Sequence, residues 1–187
     1  LSLAPEHLSC YGLLLEEGTP LHRLAAAGEV ALPPEAAERG MYQDALRLLA
    51  QAGLPPYEIS NFARPGRACC HNLGYWQGAY YLGFGVAAHS RMMCPPEKGA
   101  YVRFGNTPSL EAYLSGAAAG RIPLAERREI PPREAEFETM MLGLRVLKGV
   151  SEADFLCRHG RGLEEAFGEK IRPLAARGLL RHRGGRL

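Results

Sequence analysis

Apolar and polar positions follow two regimes along this chain. In the first half, short apolar runs flank one long amphipathic stretch; in the second, apolar residues recur at spacings of three and four. Residues 8–15, LSCYGLLL, form an apolar run rich in Tyr, Cys and Leu and predict a buried strand. It ends at the turn-like Glu16-Glu17-Gly18-Thr19-Pro20. Residues 35–52 predict a helix, entered through Pro33 and Pro34 and ended by Gly53, with Ala37, Met41, Ala45, Leu48 and Ala52 on one face. Residues 56–60 predict the next strand. Strand, long amphipathic helix and strand make a βαβ unit, which implies parallel pairing with a right-handed crossover. Residues 80–91 add a third apolar segment, in which Gly83 and Gly85 mark a bulge or a close backbone approach.

Residues 93–108, with Pro95-Pro96, Gly99, Gly105 and Pro108, read as a loop and place a domain boundary at 106/107. Beyond it the pattern is helical. Helices are predicted over 109–119 and over 132–147, the second with Phe137, Met140, Met141, Leu144 and Leu147 on one core-facing stripe and Gly149 past its end. A helix over 151–159 starts at Ser151 with Asp154 three residues on, a variant capping box. Leu163, Phe167, Ile171 and Leu174 continue a helical face towards Gly178, with Pro173 expected to break or kink it. Two short helices, then Leu179-Leu180 and the basic turn at Gly184-Gly185, give a truncated winged-helix pattern. The first residues enter a strand at once and the last stop just after a turn, so the chain is expected to be part of a longer protein.

Composition narrows the class. The 187 residues are 47% hydrophobic and 22% charged, as in globular domains, and no run of about eighteen apolar residues suggests a membrane span. No basic, then apolar leader opens the chain, and the expected location is the cytoplasm. Cys10, Cys69, Cys70, Cys94 and Cys157 are odd in number and irregular in spacing, which points to reduced thiols. A net charge of +2 argues against a nucleic-acid footprint and so against a winged-helix nucleic-acid binder. The Arg181, His182, Arg183 and Arg186 cluster reads as a solvated wing.

Candidate chemistry concentrates at residues 71–76, HNLGYW, where a histidine and the only tryptophan stand together between two strand-like segments. His71 is either a solvent-exposed or capping histidine or a ligand to haem iron, with Tyr75 and Trp76 offering flat apolar area to a macrocycle. Cys69 and Cys70 are adjacent, which hinders a disulfide between them, and they read as incidental thiols. Gly83-x-Gly85 lacks the third glycine and the following helix of a dinucleotide fingerprint. His89, among small and apolar residues, is either a satisfied core histidine or a residue facing a central cavity. Glu58 and Asn61, at the end of a predicted parallel strand, stand where α/β sheets place functional groups.

HLSCYGLLLEEGTPL, YEISNFARPG, HNLGYW, YLGFGVAAHS and EFETMMLGLRVLKGV, in that order, resemble the later half of radical S-adenosylmethionine (SAM) proteins related to oxygen-independent coproporphyrinogen III oxidase. Within that group the chain is similar to HemW-type haem chaperones, whose HNxxYW motif, associated with haem binding, is matched by His71, Asn72, Tyr75 and Trp76. The oxidase pattern has Asp-His before Phe-Ala-Arg-Pro, where this chain has Ser60-Asn61. The resemblance implies an α/β fold: residues 1–106 as the C-terminal portion of a partial (β/α) radical SAM barrel, and 107–187 as a helical, winged-helix-like domain.

It also implies haem delivery as the function, with coproporphyrinogen III oxidation as the alternative. A 4Fe-4S cluster and SAM are expected in the full-length parent. None of the five cysteines has the C-x3-C-x2-C spacing of the cluster loop, so this chain alone is expected to be inactive towards SAM. The strand carrying Tyr11 and Gly12, and the one carrying His89, are implied to lie near SAM or substrate, although the oxidases have isoleucine at the position of His89. The implied partners are haem or porphyrin, acceptor haem proteins and the missing N-terminal barrel half. A partial barrel leaves a strand edge and an apolar face open, so a homodimer is also expected.

Overall fold

A computed structural model describes residues 2–95 and 99–187 of the chain; Pro96 and Lys98 of the expected loop lie outside the described residues. The described elements run β1 (His7–Ser9), α1 (Pro20–Ala26), α2 (Glu35–Gln51), β2 (Asn61–Ala63), α3 (Cys70–Trp76), β3 (His89–Met92), β4 (Tyr101–Asn106), α4 (Leu110–Ala118), β5 (Leu124–Ile130), α5 (Pro132–Gly143), α6 (Glu152–His159) and α7 (Leu163–Ala176). They form two compact units, 1–70 and 71–187. The sheet of the second unit runs across residue 106, where the sequence suggests a boundary.

In the first unit, α1 starts at Thr19, whose hydroxyl accepts from the His22 amide, with Pro20 at the first helical position. Helix α2 begins after Pro34 and ends at Ala52, close to the bounds read from sequence. The face it buries is not the expected one. Leu49 and the half-buried Leu46 pack with Leu54, Phe62 and Leu8, whereas Met41 and Leu48 are exposed. Both faces carry apolar residues, and their spacing alone cannot say which one is covered.

The strand expectations here need correction. Only Leu8 and Ser9 of the 8–15 run are in a strand; Tyr11, Leu13 and Leu14 are exposed. The second strand is Asn61–Ala63 rather than 56–60, and it pairs antiparallel with β1, His7 opposite Ala63 and Ser9 opposite Asn61. Parallel pairing is therefore not what the described residues form.

The second unit is built on an antiparallel sheet in the order β3-β4-β5, with Ser90 opposite Phe104 and Tyr101 opposite Ile130. The 93–108 segment, expected to be a loop, contains β4, and the supposedly all-helical region contains β5. The alternation Glu126-Arg127-Arg128-Glu129 hid β5, because its side chains are mostly exposed and carry no apolar period. Gly83 makes the close approach expected of it: a Cβ there would overlap the His89 carbonyl. Asn106 locks this turn by donating to the Gly85 carbonyl at 2.8 Å.

Helix α5 buries Ala135, Glu136 and Met140, while Phe137, Met141, Leu144 and Leu147 of the expected core stripe are exposed. Met140, Val150, Phe155, Leu163 and Leu187 form the principal core of this unit, with Phe167 and Ile171 packed on it. Ser151 caps α6 as read from sequence, accepting from the Asp154 amide at 3.2 Å, and Gly160 ends it at φ +73°. Helix α7 passes through Pro173 without breaking and ends at Ala176. Pro173 and Glu169, whose carbonyl loses a donor, are both exposed, so water can serve that carbonyl.

The final residues form a turn with no strand or helix after it, as read from sequence, and isolated bridges hold that turn in place. Arg183 and Arg186 exchange backbone hydrogen bonds across Gly184 and Gly185, which have φ of +60° and +70°, and Leu187 exchanges two more with Val150. The result is a wing beside α6 and α7.

Candidate functional site

The HNLGYW motif is helix α3, and helical spacing decides what its side chains can meet. His71 and Tyr75, four apart, share a face. Their rings meet edge to face at 4.9 Å, and Tyr75 in turn meets Tyr81 at 4.7 Å. His71 is exposed and Tyr75 is 38% exposed, so this row lies at the surface. Tyr81 was not singled out by sequence; it reaches the row because its backbone bridges to Arg91, which folds the segment after α3 back beside it.

Trp76 lies on another side of the helix. The Arg145 guanidinium stands 4.7 Å from its ring centroid, and the indole N–H is buried without a hydrogen-bond partner. Arg158 donates to the Gln77 carbonyl at 2.9 Å, at the end of α3. Arg145 and Arg158 come from the α5–α6 region and went unremarked in the sequence, where nothing but their charge marks them. Asn72 is half-buried on α3.

The other sequence-derived candidates take separate places. His89 is exposed on β3, with Nδ1 3.5 Å from Glu126, so it is not a core histidine. Gly12 belongs to the first unit, is exposed, and has open space where a Cβ would stand. Glu58, 1% exposed, accepts from the Ser60 amide at 2.9 Å, and Asn61 accepts from Ser9 Oγ at 2.5 Å. Both act within the first unit's own architecture. Arg186 donates to the carbonyls of Lys148 and Gly149, and His182 pairs with Glu152 at 2.6 Å, as expected of a structural wing.

The sheet of this unit carries a part-buried polar cluster around Tyr101. Tyr101, 1% exposed, donates to the Glu138 carboxylate, which also pairs with Arg103, and Arg91 lies 3.8 Å over the Tyr101 ring. Burial, and then the Glu138 carboxylate, push the Tyr101 phenol up to about 12. His159 bonds to Thr139 at 3.0 Å; burial and the charge of Arg158 hold its pKa below the ordinary range.

Among the described residues, no three His, Cys, Asp or Glu side chains group as a metal site, and no helix is long and apolar enough to cross a membrane. The cysteines are free thiols. These donors do not fit an iron–sulfur cluster, and no step through a cluster or SAM is assigned to this chain. A single exposed imidazole beside aromatic rings does fit an axial contact to haem iron.

Comparison with known proteins bears on the same segments. Residues 130–187 match the HemN C-terminal domain family. The chain is 35% identical over 180 residues to "Heme chaperone HemW" of Bacillus subtilis, covering 96% of this chain and 46% of that protein. It is 35% identical over 158 residues to the HemW of Synechocystis, covering 82% and 36%. It is also 32% identical over 172 residues to "Radical S-adenosyl methionine domain-containing protein 1, mitochondrial" of Danio rerio, covering 90% and 38%. The coproporphyrinogen III oxidase HemN of Escherichia coli, a radical SAM enzyme, shares the fold with a TM-score of 0.63 at 17% identity, over 95% of this chain and 42% of that one. The chain thus spans less than half the length of these relatives, and it belongs to the HemW-type radical SAM proteins, matching their C-terminal half.

Proposed function

We propose that this chain is the haem-handling part of a haem chaperone, with His71 the axial ligand to haem iron and Tyr75 and Trp76 part of the surrounding wall. The observation that carries the reading is the row His71, Tyr75, Tyr81, in which an exposed imidazole packs edge to face with an aromatic ring. Imidazole is a good ligand for haem iron, and the adjacent rings offer apolar area to the macrocycle. The relatives named as haem chaperones support it over 96% of the chain. In this reading haem is cargo, passed on to acceptor haem proteins, and SAM and the cluster belong to the remainder of the full-length protein.

Titration of ferric haem into wild type and His71→Ala tests the ligand. The wild type is expected to shift the Soret band, and the variant to lose or alter that shift, while circular dichroism shows both equally folded. Identical spectra and affinities would remove His71 from the role.

A further inference from the structure

Arg91 is buried at 8% exposure, yet its Nε has no hydrogen-bond partner. Among the described residues neither Arg91, Arg145 nor Arg158 enters an ion pair, although eight other arginines do. These three converge on the end of α3. Arg145 lies over Trp76, and Arg158 and Arg91 each bring a guanidinium nitrogen within 2.9 Å of the point where a Gly78 Cβ would stand. Gly78 has φ +69° and no side chain, which is what lets the two guanidinium groups come this near each other. The other unsatisfied buried donor of the neighbourhood, the Trp76 indole N–H, is two residues away.

Arg91 is a buried cation without an ion-pair partner, which costs free energy, and its unpaired Nε–H adds to it. Capping of α3 explains only one N–H of Arg158, the one on the Gln77 carbonyl. Two neighbouring guanidinium groups, neither paired with a carboxylate, present the planar donors that carboxylates satisfy best. We infer that Arg91 and Arg158, with Arg145 adding positive charge beside them, form a carboxylate-binding site at the end of α3 that takes the propionate side chains of a tetrapyrrole. The identity of the tetrapyrrole rests on the haem reading above. His71 stands in the first turn of α3 and Gly78 two residues past its end, so the imidazole and the guanidinium groups are separated along the helix by more than one turn.

The test uses the 187-residue chain with iron-free protoporphyrin IX and its dimethyl ester, so that axial ligation plays no part, and reads binding by fluorescence. Wild type is expected to bind the diacid at least about tenfold more tightly than the diester, as one charge-assisted pair warrants. Arg158→Gln, at an exposed position, should lower diacid affinity about tenfold and leave diester affinity unchanged. Arg91→Gln should do the same where circular dichroism shows it folded. Equal affinities of wild type for diacid and diester, no binding of the diacid, or equal losses for both probes in Arg158→Gln would overturn the site. A His71-dependent Soret shift with no diacid preference would overturn the carboxylate site and leave the haem ligand standing. A diacid preference without that shift would do the reverse.

Discussion

Replacing Tyr101 with phenylalanine removes one oxygen from a place where its removal can be measured in two independent ways. The phenol is 1% exposed, donates to Glu138, and has its pKa raised from 10.0 to about 12. An unfolded tyrosine gives up its proton near pH 10, whereas the folded one keeps it to about pH 12. Over that interval the folded state binds more protons, so stability falls as pH rises, and the contribution is complete only below pH 10. Two pKa units correspond to about 2.7 kcal/mol, the same size as a buried hydrogen bond to a charged partner, about 1.5–3 kcal/mol. Tyr101→Phe is therefore expected to be about 2 kcal/mol less stable than wild type at pH 8 in urea denaturation. At pH 11 the gap should have narrowed by about 1.4 kcal/mol. Tyrosinate absorbance of wild type minus variant should show a midpoint near 12. A midpoint at 10, or a gap of constant size between pH 8 and pH 11, would refute the account of a buried phenol held neutral by its surroundings.

Two further changes probe the second unit. Gly149→Ala puts a Cβ onto the Leu187 carbonyl at a residue with φ +68°, and should cost about 2 kcal/mol or more in thermal unfolding; an unchanged melting temperature would show the wing to be loosely held. Arg161→Ala strips the two-pronged partner, at 2.9 and 2.5 Å, from the buried Glu136 carboxylate and should lower the urea midpoint. Replacing both residues with methionine should recover most of that loss, and a double variant as unstable as the single one would contradict the uncompensated-charge argument.

The helices α2 and α4 to α7 were legible from sequence and the buried faces of α2 and α5 were not, while α1 and α3, seven residues each, went unread as helices. Proline entry and glycine exit fixed α2, and Ser151 fixed the start of α6, because caps are local chemistry. Which stripe of α2 or α5 is covered depends on what packs against it: Met41 and Met141 are as apolar as Leu49 and Met140, yet only the latter pair is buried. Strand β5 escaped because Glu-Arg-Arg-Glu has no apolar alternation, and β4 because Gly99, Gly105 and Pro108 around it read as turn residues. The direction of β1–β2 pairing was inferred from connection length, a rule about topology that the local hydrogen bonding did not follow. At the site, His71, Tyr75 and Trp76 stood out as an unusual cluster. Tyr81, Arg91, Arg145 and Arg158 needed three dimensions, although an arginine within the apolar GFGVAAHSRM run was a sign that could have been followed.

The two arginines that touch the end of α3, Arg145 and Arg158, both belong to the 130–187 segment that matches the HemN C-terminal domain. Modularity in the alignment is therefore not modularity in the molecule. A deletion made at residue 130 would strip the cation from the Trp76 ring and the donor from the Gln77 carbonyl while leaving every letter of HNLGYW in place. Loss of haem binding after such a deletion would say little about which segment holds the ligand. Single side-chain exchanges at Arg145 and Arg158 separate the two contributions, because each leaves the fold of 130–187 standing while releasing one hold on the helix.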